Sequence, residues 1–245
     1  MNSGEGEHTT FGATTHQPPS DRRGRPVPRL GVGLRRLTGV SMYIKICGLS
    51  DVATALHAVT SGADAIGVVM SEGSPRNTTP AMAESIVRAV GTEAPQVDRV
   101  LVVRHTPAVE AAECAYALGF DVLQLHGGHS PEDFAAALRI MPRVWRATSL
   151  ASDPELTAGA YGEEHLLVDG TNPGSGETWD VTEATRADLG TNWILAGGLT
   201  PENVHEAIAL SQPWGVDVSS GVESSPGVKD LGRITHFIRT AGGPL

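Results

Sequence analysis

Cysteine, aromatic residues and lysine are all scarce in this chain of 245 residues. Cys47 and Cys114 are the only cysteines, and without a secretion signal or a metal-type spacing they are typical of reduced thiols in a cytoplasmic protein. Aromatic residues make up 4% of the chain, so aliphatic side chains must form most of the core. No apolar run approaches the length needed to span a bilayer. These features argue against a protein stabilised by disulfide bonds and against a membrane-spanning protein.

The formal charge of −10 is unevenly distributed. Residues 1–41 hold six arginines against three acidic residues, a net charge of +3, which leaves −13 on residues 42–245. Such an acidic body argues against nucleic-acid binding. It permits an anionic ligand, because backbone N–H groups at a phosphate site outweigh distant net charge. Lysine is confined to Lys45 and Lys229.

Residues 1–41 are rich in Gly, Pro, Ser, Thr and Arg and lack periodicity. We interpret them as a disordered N-terminal extension or as residues upstream of a natural start at Met42. An arginine-rich leader of mitochondrial type is a further alternative, although no amphipathic helix is evident. Residues 42–245 are predicted to form the folded domain.

From Met42 onward, short β-branched runs alternate with helical stretches, as is typical of βα units around a parallel sheet. A domain of about 200 residues suits a single-domain (β/α)8 TIM barrel, with a doubly wound open sheet as the alternative. Three hydroxyl–proline pairs, at 79–80, 130–131 and 200–201, predict helix starts. Apolar stripes predict helices over 51–60 and from Leu231 to Ile238. The eight predicted strands are residues 43–47, 65–69, 99–103, 122–125, 143–147, 165–169, 193–196 and 215–218.

In a barrel, chemistry belongs at the carboxyl ends of the strands. Strand alternation places Lys45 and Cys47 on one face of the first strand, toward the barrel mouth if Ile44 and Ile46 face the helices. A nearby ammonium favours the thiolate, which is able to accept a proton. Alternatively, Cys47 is simply a small buried hydrophobe.

Asp169 ends the sixth strand. Partial burial would raise the pKa of its carboxyl group, which suits a general acid. The alternative is that Asp169 caps a turn before Gly170.

Two glycine-containing turns predict a divided phosphate site, because the loops after strands seven and eight of a barrel commonly bind phosphate. Glycines allow the backbone to approach an anion, and serine hydroxyls add donors. The residues concerned are Gly197, Gly198, Ser219, Ser220 and Gly221.

Two basic side chains are further candidates. Arg76 lies within the loop 71–80, where it is either a solvated charge or a bidentate partner for a substrate carboxylate. His126 ends the fourth strand on the same face as Gln124, in a supporting or a directly catalytic role.

Six segments form a pattern when they are taken together and in order over residues 42–240: KICGL (45–49), GSPR (73–76), QLHG (124–127), LAGGLTPENV (195–204), GVDVSSGVE (215–223) and PGVKD (226–230). In this combination they resemble phosphoribosylanthranilate isomerases. The resemblance implies an Amadori rearrangement of N-(5-phosphoribosyl)anthranilate to 1-(2-carboxyphenylamino)-1-deoxyribulose 5-phosphate in tryptophan biosynthesis, without a metal or organic cofactor. We expect a monomer, with a homodimer as the alternative.

The resemblance further implies residue roles. Asp169 would protonate the ring oxygen and Cys47 would remove the C2 proton. Arg76 would bind the anthranilate carboxylate, while the glycine turns bind phosphate. His126 and Asp217 would support the substrate at the mouth.

Three loops, at 71–73, 128–129 and 172–176, depart from the family pattern. Two alternatives stay open. One is the related isomerase of histidine synthesis, or an enzyme serving both pathways, although that class has an aspartate where Cys47 stands. The other is a non-catalytic barrel that binds a sugar phosphate, although a pure binder needs neither an acid nor a base.

Overall fold

The computed structural model describes residues 42–149, 156–169 and 189–242. The predictions for residues 1–41, for Gly170 and for the loop 172–176 lie outside these ranges.

Eight parallel strands within the described ranges close into a barrel. Each strand pairs with the next in the chain, and the last pairs with the first, with Lys45 opposite Asp217. The TIM-barrel prediction is confirmed and the open-sheet alternative is wrong. Five predicted strands have the observed bounds, the third and fourth differ by one residue at one end, and the fifth differs by one residue at its start and two at its end. The strands are β1 (Tyr43–Cys47), β2 (Ala65–Val69), β3 (Asp98–Val103), β4 (Val122–His126), β5 (Val144–Ser149), β6 (His165–Asp169), β7 (Trp193–Ala196) and β8 (Gly215–Val218).

Helices follow most of the strands along the chain. In the described part these are α1 (Val52–Thr60), α2 (Pro80–Glu93), α3 (Ala108–Leu118), α4 (Pro131–Ala137), α5 (Val204–Ser211) and α6 (Leu231–Thr240). After β8 the chain forms a short 3-10 helix (Ser220–Val222) and a hairpin of β9 (Glu223–Ser225) and β10 (Val228–Lys229). None of the helices described is both long and apolar enough to cross a membrane.

Two of the predicted helix starts are confirmed, because Thr79 and Ser130 cap α2 and α4 with side-chain hydrogen bonds. The third is wrong. Asn203 Oδ1 accepts a hydrogen bond of 2.7 Å from the backbone N–H of Thr200, which closes a turn first, so α5 begins only at Val204. The stripe of α6 is buried except at Leu231, which is 46% exposed.

Strand alternation divides the core into two parts. Ile44 and Ile46 face outward into a large aliphatic layer between strands and helices. Cys47 faces inward, in a smaller cluster that includes Val102 and Trp145. The predicted orientation of the first strand is therefore confirmed.

Candidate active site

The carboxyl ends of the strands surround an open cavity of about 1090 Å³. Of the ten residues singled out from the sequence, nine line this cavity, the exception being Gly221. Cys47 and Asp169, the predicted base and acid, share it. The other seven are Arg76, His126, Gly197, Gly198, Asp217, Ser219 and Ser220.

Cys47 lies at the end of β1 and is 6% exposed. Burial raises the pKa of its thiol, and the nearby Lys45 lowers that pKa without outweighing burial. The expected direction of the Lys45 effect is confirmed, but burial is the larger influence and the pKa of Cys47 is raised. Asp217, whose Oδ1 lies 2.8 Å from Lys45 Nζ, adds a smaller rise to the pKa of Cys47.

Gly67 of β2, which sequence reasoning missed, makes room for these side chains. A Cβ atom at this position would lie 2.8 Å from Cys47 Sγ and 3.2 Å from Lys45 Cε. A larger residue would displace the thiol. Only the pairing of β1 with β2, which sets Cys47 beside Gly67, reveals this requirement.

Asp169 ends β6 with its side chain 25% exposed. Burial raises the pKa of its carboxyl group to about 6, and the charge of Asp217 acts in the same direction, while Lys45 and Arg104 oppose it. The expected rise in this pKa is confirmed. With this pKa about one tenth of the carboxyl groups are protonated at pH 7, which is enough for the group to act as an acid.

His126 lies beside this acid, with Nε2 3.5 Å from Asp169 Oδ2. Burial lowers the pKa of His126, and the positive charge of Arg104 lowers it further. The imidazole is therefore neutral near pH 7. Contact with the acid favours the supporting role for His126.

The predicted phosphate site lies where β7 and β8 end. Gly197 and Gly198 have φ values of 76° and 65°, a left-handed backbone that favours glycine. A Cβ at Gly221 would overlap the carbonyl oxygen of Leu199. Gly221 thus lets the two loops pack together, although it does not line the cavity itself.

Arg76 reaches the cavity from the loop between β2 and α2, where it is bound to Glu223 at the start of β9. Arg76 Nε and Nη2 donate hydrogen bonds of 2.7 and 2.8 Å to the two carboxylate oxygens of Glu223. Lys229 Nζ donates to the same carboxylate at 2.7 Å and to the backbone carbonyl of Ser219 at 2.9 Å. Sequence reasoning assigned no role to Glu223 or Lys229.

Within the described residues, no group of three or more histidine, cysteine or acidic side chains is arranged to hold a metal ion.

Comparison with known proteins identifies the family. The model of the N-(5'-phosphoribosyl)anthranilate isomerase family matches residues 44–240. The enzyme of that name from Pelobacter propionicus is 38% identical over 202 residues, covering 81% of this chain and 94% of the relative. The chain belongs to this family.

Comparison with solved structures supports the same assignment. TrpF from Jonesia denitrificans is 48% identical, with a TM-score of 0.73 over 82% of this chain and 97% of its own. Another isomerase structure is 32% identical, with a TM-score of 0.67 over 82% of this chain and 98% of its own, and is a complex with reduced 1-(o-carboxyphenylamino)-1-deoxyribulose 5-phosphate. The resemblance read from the sequence is confirmed, and the chain is an isomerase of tryptophan biosynthesis.

Two of the three departures from the pattern of phosphoribosylanthranilate isomerases lie in the cavity. Residues 71–73 and 128–129 line it, together with Arg104 and His105 after β3. Arg104 acts electrostatically on both Asp169 and His126. Its position directly after a predicted strand was the signal that could have found it.

Proposed function

We propose that Cys47 and Asp169 catalyse the Amadori rearrangement of N-(5-phosphoribosyl)anthranilate as general base and general acid. The observation that supports these roles most is that one cavity at the barrel mouth contains both side chains. The buried acid with a raised pKa is the group able to donate a proton.

In the first step, Asp169 donates its proton to the ring oxygen of the furanose. The bond between that oxygen and C1 breaks, and the nitrogen lone pair forms the Schiff base. The neutral His126 beside Asp169 does not stabilise the carboxylate as an imidazolium would, so the pKa of the acid stays raised.

In the second step, the Cys47 thiolate removes the proton from C2. The electrons left on C2 form the C1–C2 double bond of an enolamine while the electron pair of the C1–N double bond returns to the nitrogen. The enolamine then gains a proton on C1 and loses its C2 hydroxyl proton, which gives the ketone. This route moves only protons, so it calls for neither a metal nor an organic cofactor.

The pKa values of Cys47 and Asp169 are in the unfavourable order for this mechanism, because the acid loses its proton at a lower pH than the thiol does. An ordinary thiol has a pKa of about 8.5, and burial raises that of Cys47, whereas Asp169 has a pKa of about 6. Between the two pKa values the active pair of thiolate and carboxylic acid is a constant minority of the enzyme. We therefore expect a broad plateau of activity with pH rather than a sharp optimum.

The ends of the substrate are bound separately. Arg76 binds the anthranilate carboxylate, and Gly197, Gly198, Ser219, Ser220 and Gly221 form the phosphate site. His126 and Asp217 support the reacting sugar between them. We propose a cytoplasmic monomer, with a homodimer as the alternative.

The purified chain should abolish the fluorescence of freshly prepared phosphoribosylanthranilate. Cys47→Ala and Asp169→Asn should each lower kcat by about 10²–10⁴-fold while the fold survives. No loss of fluorescence at micromolar enzyme would leave a non-catalytic barrel. Turnover of the histidine-pathway substrate as well would show an enzyme serving both pathways.

A further inference from the structure

The carboxylate of Glu223 is the centre of a buried cluster of charges beside the cavity. It accepts hydrogen bonds from Arg76, from Lys229 and, at 3.1 Å, from the backbone N–H of Gly227. The side chains of Glu223 and Lys229 are 4% and 3% exposed, against 23% for Arg76. Glu223 and Lys229 are thus fixed, while Arg76 retains an exposed portion.

The geometry of the Arg76 guanidinium shows which part is left for a ligand. A guanidinium has two edges that can each hold a carboxylate by two parallel hydrogen bonds. Glu223 occupies the edge formed by Nε and Nη2. The edge formed by Nη1 and Nη2 remains, and Arg76 lines the cavity.

Two glycines fix Arg76 and its loop against their neighbours. A Cβ at Gly48 would lie 2.7 Å from Arg76 Cδ and 3.0 Å from Ser219 Oγ. The aliphatic part of the Arg76 side chain therefore packs against Gly48, the residue that follows Cys47. A Cβ at Gly227 would overlap the carbonyl oxygen of Pro75. The β9–β10 hairpin therefore packs closely against the loop that carries Arg76.

Lys229 connects this cluster to the phosphate site. Its ammonium donates to Glu223 and also to the backbone oxygen and the hydroxyl of Ser219, at 2.9 and 3.3 Å. The loop after β8 is thereby joined to Arg76 through two buried charges. This chain of contacts runs between the two parts of the cavity for which anion binding is proposed.

We infer that Glu223 is a positioning residue for the family's reaction. It holds one edge of the Arg76 guanidinium so that the other edge faces the anthranilate carboxylate. Lys229 sets the spacing between Arg76 and the phosphate loop. The inference rests on the role proposed for Arg76. Glu223 itself does not line the cavity. Its effect is on where the arginine points.

Glu223→Gln tests the inference because it keeps the side-chain size and removes the charge. KM for phosphoribosylanthranilate should rise about 5–20-fold, while kcat changes less than about 2-fold. The reason is that Arg76 would no longer point its free edge at the anthranilate carboxylate, so their charge-assisted bidentate contact is weakened. Inorganic phosphate serves as a probe of the other end, and its inhibition constant should stay within about 2-fold, because the hydrogen bonds from Lys229 to Ser219 do not involve Glu223. A rise in both constants would indicate general loss of the site and would overturn the inference.

Asp121→Asn is the matched control. It breaks an arginine–carboxylate pair of the same geometry, in which Arg99 Nε and Nη2 each lie 2.6 Å from an oxygen of Asp121, away from the cavity. Its KM should be unchanged. If Glu223→Gln does not fold, Glu223→Asp keeps the charge on a shorter side chain and should raise KM about 3-fold; a KM equal to that of the wild type would overturn the inference.

Arg76→Ala separates the two hypotheses. It should raise KM at least as much as Glu223→Gln, and adding Glu223→Gln to it should change KM less than about 2-fold further, because the residue to be positioned is gone. An unchanged KM in Arg76→Ala would overturn the carboxylate role and the positioning role together. A raised KM in Arg76→Ala with a normal one in Glu223→Gln would overturn the positioning role alone.

Discussion

The carboxyl group of Asp169 should destabilise the folded barrel at neutral pH, and Asp169→Asn tests this. The pKa of Asp169 is about 6 in the folded chain, against about 3.9 for an unfolded aspartate. The folded state therefore binds the proton more tightly, so this group favours folding most below pH 4, and that advantage is lost as the pH rises to 6. Above pH 6 both states are ionised.

The size of the effect follows from the shift in pKa. About two pKa units at 1.36 kcal/mol each correspond to about 3 kcal/mol of unfolding free energy. Because the side chain is 25% exposed, solvent reduces the expected gain to about 1–3 kcal/mol. Asp169→Asn should thus raise the free energy of unfolding by about 1–3 kcal/mol at pH 8 and by about 0.5 kcal/mol or less at pH 4. The same substitution should inactivate the enzyme.

Urea unfolding of the wild type and of Asp169→Asn at pH 8 and pH 4 measures this difference. Glu223→Gln provides a contrast. Burial raises the pKa of Glu223, but hydrogen bonds from Arg76 and Lys229 outweigh burial and lower the pKa to about 2. The charge of Glu223 therefore stabilises the fold above pH 4. Glu223→Gln should lower the free energy of unfolding by about 3 kcal/mol at pH 8. If Asp169→Asn were destabilising at pH 8, or equally stabilising at both pH values, the argument that burial raises this pKa would be refuted.

Three further predictions concern the thiol and two glycines. Alkylation of Cys47 by iodoacetamide, followed by peptide mass spectrometry, should accelerate beyond pH 8.5, because burial raises the pKa of the thiol; a rate that levels off below pH 8 would contradict this. Gly67→Ala should lower kcat about 10–100-fold with little change in KM, because its Cβ would displace Cys47 Sγ; steady-state kinetics show whether KM changes instead. Gly221→Ala should raise the inhibition constant of inorganic phosphate about 10-fold or more, since its Cβ would overlap the carbonyl oxygen of Leu199, and an unchanged constant would show that the two loops do not form one site.

The barrel and the location of its site could be predicted from the sequence because both follow from short periodic patterns. Ile44 and Ile46 alternate with Lys45 and Cys47, and that period of two assigns the faces of β1 without knowledge of any other strand. The helix at 200–201 was misplaced because a local contact, from Asn203 to the backbone of Thr200, competes with the capping pattern.

The electrostatics of the site could not be predicted in the same way. Arg76 and Glu223 are 147 positions apart, and no period relates them. For Cys47, the sequence identified one contribution to the pKa, the neighbouring Lys45, but not the burial and the Asp217 charge that oppose it. Ranking such contributions requires distances, which only the closed barrel provides.

The two lysines of the chain show how these charges are arranged. Both are buried and each is paired with one carboxylate, Lys45 with Asp217 and Lys229 with Glu223. An ammonium is a compact charge that fits beside Gly67, where the planar guanidinium of arginine would be larger. Lys45 lowers the pKa of Asp169 and Asp217 raises it, so the two charges oppose each other. Burial is the largest influence on this pKa. The pairing thus allows charged groups to line the cavity while the acid keeps the raised pKa that its role requires.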